Sequence, residues 1–281
     1  MDRPPLVVPF TKMDGAGNDF IVLDNRFLHF TEEELESLAA RFCPRRTGIG
    51  ADGLLALEDD DAADFRMRYR NADGSLGTMC GNGARCLARF AAAAGLGTRT
   101  GDAVTLAFET DGGRYRASVP DAGDVQLDVP DARGFGLAET SGDEAVHQIW
   151  TGTEHAVLFV DDVDAVEGAA LQRLRHDPAF EPTGANVNAV QVVAPDRIRV
   201  RTFEKGVEAE TLACGTGAIA TALVSQLTQR AGGDGRQLVA VEMPGGTLTV
   251  GFRAEGGELV DLTLGGPARV VYAGTLEWTG P

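Results

Sequence analysis

TMCGNGARC (residues 78–86) and LACGTGAIA (residues 212–220) carry one signature, Cys-Gly-x-Gly, in the two halves of a 281-residue chain. Each cysteine precedes a glycine-rich turn that opens an alanine-rich, helix-forming stretch. A helix start presents backbone N–H groups with no intrahelical acceptor and the positive end of the macrodipole. A thiolate is stabilised there, and a carboxylate can be held there. Alone, either motif is equally consistent with a buried structural thiol, a metal ligand, a redox partner or an acid/base.

The surroundings of the two motifs match as well. Before the first lie strand-like VVPFTKM and FIVLDN around the turn DGAGND, then TEEELESLAARF, a predicted helix with a capping box from Thr31 and Glu34, then the strands LLALE and FRMRYRN. After it come the helix GNGARCLARFAAAAG and a hairpin, VTLAFETDGGRYRASV. The second half repeats the order: strand-rich QVVAPDRIRVRTFEK, the helix GTGAIATALVSQLTQRAGG with a Gly-Gly stop, and the hairpin LVAVEMPGGTLTVGF. A shift of 134 residues carries Cys80 onto Cys214, and one of 133 carries Gly112 and Gly113 onto Gly245 and Gly246. A near-constant offset through strand, helix and hairpin points to an internal duplication. The expected fold is α+β, with two pseudo-symmetric domains, each a mixed or antiparallel sheet around a central helix, and the active site in the cleft between them. The crossing is placed near PDAGD (120–124), and ARVVYAGTLEW is expected to return to the first domain. This gives 1–121 with 265–281 around Cys80, and 122–264 around Cys214.

Composition narrows the function. A formal net charge of −17 argues against nucleic-acid binding and attachment to anionic membranes. No apolar run approaches a membrane span, and no signal-like start is present, so a cytoplasmic protein is expected. Lys12 and Lys205 are the only lysines among 25 basic residues, and arginine with acidic excess suits a protein working in concentrated salt. Cys43, Cys80, Cys86 and Cys214 are too few and too scattered for a disulfide framework. Neither they nor His29, His147, His155 and His176 form a zinc-type spacing, and no metal is expected. GIGADG (48–53) formally matches a dinucleotide fingerprint, but it follows CPRRT and leads into a strand, so no helix start would meet a pyrophosphate.

Two like groups at equivalent positions suit inversion at carbon, in which one base removes a proton and a conjugate acid on the other face returns one. Thiol-disulfide exchange is the rival, although its usual Cys-x-x-Cys is missing.

KMDGAGNDF, GIGADGLL, RNADGSLGTMCGNGARC, GANVN and RTFEKGVEAETLACGTGA, in this order, resemble the diaminopimelate epimerases over essentially the whole chain. The resemblance implies cofactor-independent epimerisation of LL-2,6-diaminopimelate to the meso form, for lysine and peptidoglycan synthesis. It implies Cys80 as proton donor and Cys214 as acceptor in that direction. Gly81, Asn82, Gly215 and Thr216 would hold the reacting carboxylate, and Asn18, Asn71 and Asn186 the distal amino-acid end. Glu204 would tune the thiols, and His155 would stand near one of them. A homodimer with Tyr272 at its interface is likewise implied; the expected partners are thus a small amino acid and a second copy of the chain.

Two departures from the family pattern stand out. Lys205 occupies the place of an arginine whose planar fork would clamp the distal carboxylate. TGTEH replaces Gly-Asn-Pro-His, so Thr153 stands where an asparagine would bind the distal end. Under the 134-residue shift, Lys205 overlays Asn71. A proline-racemase-like enzyme is the nearest alternative, with a non-catalytic or thiol-redox protein further off.

Overall fold

The computed structural model describes residues 5–142 and 145–280. Two compact units divide the chain: one runs to Leu127 and resumes at Gly266, and the other spans Asp128–Gly265. The first unit thus runs six residues past the expected boundary at 121 and includes the buried Val125 and Leu127. The return comes at Gly266 rather than 265.

In the first unit, Leu6–Asp14 pairs antiparallel with Asp19–Asp24 and with the returning strand Arg269–Trp278. Asp19–Asp24 runs parallel to Gly53–Glu58, which pairs antiparallel with Phe65–Asn71. A short strand, Leu76–Gly77, leads to the helix Gly81–Ala93. The hairpin Ala103–Thr110 and Gly113–Pro120 then joins, its first strand parallel to Phe65–Asn71. The second unit repeats this plan. Glu154–Phe159 runs parallel to Asn186–Ala194, which is antiparallel to Arg197–Glu204. Ala209–Thr211 leads to the helix Gly215–Leu227, and the hairpin Gly235–Met243 and Gly246–Glu255 follows, again parallel to the preceding long strand. Equivalent pairings in the same chain order make this a duplicated α+β fold.

The sequence explains why both helices sit inside their sheets. Gly215–Leu227 has no charged residue, and Gly217 through Ser225 are all buried, so it is apolar around its circumference. Its two buried hydroxyls are satisfied within the helix, Thr221 donating to the Gly217 carbonyl at 2.8 Å and Ser225 to the Thr221 carbonyl at 2.7 Å. Gly81–Ala93 buries Asn82 through Ala88 and Ala91. Its end is set by Gly95, whose φ of 84° is left-handed. The second helix departs from expectation: it stops at Leu227, well before the Gly-Gly pair, because Gln229 adopts φ 57°.

An amphipathic helix, Glu32–Phe42, closes one face of the first unit through Leu35, Leu38 and Ala39, packed with Ile21, Leu23, Leu54 and Trp278. Its capping box is formed, with the Glu34 N–H donating to Thr31 Oγ1 at 3.3 Å and the Thr31 N–H to Glu34 Oε2 at 2.9 Å. In the second unit Gly168–Arg175 plays the corresponding part, burying Leu171 against Ala156, Val187 and Phe203. Among the described residues, no helix is long and apolar enough to cross a membrane.

Candidate active site

In the first unit Cys80 is the N-cap of its helix, in extended backbone at φ −140° and ψ 116°. The thiol donates to Asn18 Oδ1 at 3.5 Å, and Asn82 Nδ2 donates to the same oxygen at 3.3 Å. Asn18 is fixed from behind, because its Nδ2 donates to Asp52 Oδ2 at 2.7 Å. Asn82 is fixed from its other side by Arg85, whose Nη2 donates to Asn82 Oδ1 at 2.7 Å. The line Asp52, Asn18, Asn82, Arg85 therefore sets which atom each carboxamide presents.

Close approach of two backbones makes this possible. A side chain at Gly15 would lie 2.8 Å from the Asn82 carbonyl and 3.1 Å from the Cys86 sulfur. Ala16 and Gly17 take φ of 65° and 82°, turning the chain so that Asn18 meets the helix start. Asp52 comes from the GIGADG loop, which leads into a strand and opens no helix. It also accepts from Arg45 Nη2 at 2.6 Å. Arg45 and Lys12 bracket the neighbouring Asp19, whose pKa they lower to about 2 against the opposing pull of burial. Arg85 is fully buried, and burial lowers its pKa.

Asn71 stands apart from this line. It ends the strand Phe65–Asn71, and its Nδ2 donates to Ser75 Oγ within its own turn at 3.0 Å.

In the second unit Cys214 occupies the equivalent N-cap, at φ −120° and ψ 110°. Its sulfur accepts from the Gly217 N–H at 3.3 Å and lies 3.5 Å from Thr216 Oγ1. Glu204 reaches this thiol from the end of the strand Arg197–Glu204. Burial, followed by the Glu204 charge, pushes the Cys214 pKa well above its usual range, while the bonds from Thr216 and Gly217 oppose it. Glu204 Oε1 accepts from Thr211 Oγ1 at 2.6 Å. The Thr216 carbonyl accepts from Thr151 Oγ1 at 2.8 Å, tying the helix start to the loop before His155.

His155 is buried, and its Nδ1 is 3.1 Å from Asn188 Nδ2. Asn188 Oδ1 accepts from Thr202 Oγ1 at 2.9 Å and its Nδ2 also donates to the Ala156 carbonyl, so the amide is the donor to the ring. The proton of the neutral ring then sits on Nε2, which has no partner among the described residues. Burial lowers the His155 pKa to about 3, and Lys205 adds to the shift.

Asn186 Oδ1 accepts from the Lys205 N–H at 2.9 Å. Lys205 Nζ donates to Glu154 Oε2 at 2.7 Å and to the carbonyls of Thr183 and Gly184 at 3.1 and 3.2 Å. Thr153 donates its hydroxyl to Glu154 Oε2 at 3.3 Å.

The sequence reading had passed over Asp52, Arg85, Thr151, Glu154, Asn188 and Thr202. All six lie inside motifs already quoted: GIGADG, TMCGNGARC, TGTEH, GANVN and RTFEKGVEAETLACGTGA. Among the described residues, no group of three or more His, Cys, Asp or Glu side chains is placed to hold a metal ion.

Residues 10–133 and 148–270 match the family model for diaminopimelate epimerase, one stretch in each unit. The chain belongs to the diaminopimelate epimerase family. It is 44% identical over 272 residues to the diaminopimelate epimerase of Chlorobaculum tepidum, covering 94% of this chain and 99% of that one. It is 38% identical to the diaminopimelate epimerase of Halorhodospira halophila, covering 95% and 94%. Membership makes the protein an enzyme of the epimerase class. Two solved structures share the fold: a PhzF-family phenazine biosynthesis protein from Bacillus anthracis, at TM-score 0.75, 15% identity and 96% and 99% coverage, and a probable proline racemase from Agrobacterium radiobacter K84, at TM-score 0.65, 16% identity and 96% and 92% coverage. At such identities the likeness is one of fold alone.

Proposed function

We propose that the protein epimerises LL-2,6-diaminopimelate to the meso form without a cofactor, using Cys80 and Cys214 as the two acid/base groups. The observation that carries this reading is the pair of thiols, each the N-cap of the same helix in two copies of one sheet-and-helix unit. One thiolate takes the α-proton and becomes a thiol; the other thiol delivers a proton to the opposite face and becomes a thiolate. Atoms and charge balance, and the reverse direction exchanges the roles.

The carbanion is formed next to a carboxylate, and its charge spreads onto that group. Gly81 and Asn82 in one copy, with Gly215 and Thr216 in the other, offer helix-start N–H groups to it. Burial, and after it the Glu204 charge, makes Cys214 hard to ionise. The substrate's α-ammonium, once beside Glu204, offsets that charge and eases the thiol toward thiolate, as the acceptor role in the LL-to-meso direction requires. Neutral His155 acts nearby as an Nε2–H donor rather than as a base. Asn18, Asn71, Asn186 and Lys205 contact the distal end. The reading extends to a cytoplasmic enzyme of lysine and peptidoglycan synthesis. It also extends to a homodimer that covers Tyr272 and its exposed neighbours Val270 and Val271.

The test is incubation of reduced protein with LL-diaminopimelate in deuterated water, with nothing added. Inversion with α-deuteration is expected, and loss of both in Cys80→Ala and in Cys214→Ala. No exchange in the parent chain, or exchange of proline instead, overturns the reading.

A further inference from the structure

The proposed substrate presents at its distal end a second amino-acid group, one carboxylate and one ammonium. Lys205 can answer only the carboxylate. Its ammonium has three protons, and all three are taken, by Glu154 Oε2 and by the Thr183 and Gly184 carbonyls. A carboxylate arriving at Lys205 must therefore displace or share Glu154.

The pair is suited to such an exchange. Glu154 has 41% of its side-chain surface exposed and Lys205 25%, and ion pairs at that depth contribute little to stability. Both side-chain donors to Glu154, Lys205 Nζ and Thr153 Oγ1, fall on Oε2. The neighbouring carboxylate, Glu204, faces Thr211 and the Cys214 thiol, so Glu154 is the acidic group paired with Lys205. His155 is neutral at working pH and brings no competing cation.

We infer that Glu154 is a specificity-determining residue: it accepts the distal ammonium while Lys205 takes the distal carboxylate, the pair opening around the zwitterion. One ion pair is exchanged for two, and the net charge of the site stays balanced. The backbone bond from Lys205 to Asn186 keeps the lysine in place while its side chain changes partner. This inference rests on diaminopimelate being the substrate.

The test compares LL-diaminopimelate with L-2-aminopimelate, which keeps the distal carboxylate and lacks the distal ammonium, by α-deuteration in deuterated water. The parent chain should show a KM for 2-aminopimelate higher by about tenfold or more. Glu154→Gln should raise the KM for diaminopimelate by about the same factor, leave kcat within about twofold, and leave the KM for 2-aminopimelate equal or lower, because its carboxylate no longer competes with a charged partner for Lys205. Glu154→Asp, which keeps the charge, should restore part of the preference. An equal rise in KM for both substrates would show that Glu154 only positions Lys205, and no rise for either would show that it plays no part; each result overturns the inference. If the parent chain labels neither substrate, the diaminopimelate reading itself fails and the inference falls with it.

Discussion

His155 links burial to pH in a way that stability measurements can read. Its pKa falls from an ordinary 6.5 to about 3, chiefly because the ring is buried and secondarily because Lys205 is near, while Glu154 and Asn188 pull weakly the other way. Between those two values the unfolded chain binds a proton at this ring that the folded chain does not. Stability therefore rises with pH across the window and is lost as pH falls below about 6.5. The slope approaches about 1.4 kcal/mol per pH unit, so going from pH 7 to pH 5 removes about 2 kcal/mol through this residue. His155→Gln cannot titrate and escapes that loss. The stability gap between the parent and His155→Gln should narrow by about 2 kcal/mol from pH 7 to pH 5, followed by urea denaturation of the transition that reports the second unit. His29, His147 and His176 are present in both proteins and cancel in the difference. A gap independent of pH would refute the argument, as would an imidazole NMR signal of His155 that titrates near pH 6.5.

Alkylation with iodoacetamide at pH 8, mapped by peptide mass spectrometry, should label Cys80 first and leave Cys43 and Cys86 almost untouched. Burial raises both of the latter to about 12, so about one in ten thousand is ionised at that pH. Asp52→Ala removes the charged acceptor that orients Asn18, 2.7 Å away, and should lower kcat/KM by about ten- to a hundredfold with little change in the melting temperature of the second unit. An unchanged kcat/KM would show that Asn18 needs no such support. Gly217→Ala would set a methyl 2.7 Å from Asn188 Oδ1 and 3.2 Å from the Cys214 sulfur, inside a network pinned by Thr202 and His155. It should destabilise the protein by about 1–3 kcal/mol and abolish activity; calorimetry and deuterium exchange check both.

Local chemistry made much of this legible. The capping box, the helix starts at Gly81 and Gly215, and the hairpin turns at Gly113 and Gly246 are formed by residues within a few positions of each other, and a constant offset exposed the duplication. Elements that repeat no motif were harder to see. The strands Arg133–Ala138 and Val146–Trp150, and the helix Gly168–Arg175, carry no Cys-Gly-x-Gly or hairpin-glycine signature, although under the 134-residue shift the helix falls on 34–41, within Glu32–Phe42. The positioning residues share a different difficulty. Asp52 reaches Asn18 across 34 positions and Asn188 reaches His155 across 33, contacts that exist only once parallel strands lie side by side. Lys205 was visible as a departure, and so was the stretch around Thr153; that Lys205 and Glu154 bond each other is a fact of tertiary structure.

The duplication also defines where the two copies stop being alike. Backbone is shared: each cysteine is an extended N-cap after a short strand, and each helix is buried in a sheet with the same pairing order. Charge is not shared. Under the 134-residue shift Glu204 falls on Arg70, Thr216 on Asn82, and the apolar, buried Ile219 on Arg85. Cys80 is thus surrounded by carboxamides with a guanidinium behind them, whereas Cys214 has a carboxylate at its sulfur. Under the proposed two-base inversion this difference gives the two thiols unequal claims on a shared proton. With the carboxylate in one copy only, burial and the Glu204 charge hold the Cys214 proton while Cys80 meets neutral carboxamides, so the copies differ in side chains and share their backbone.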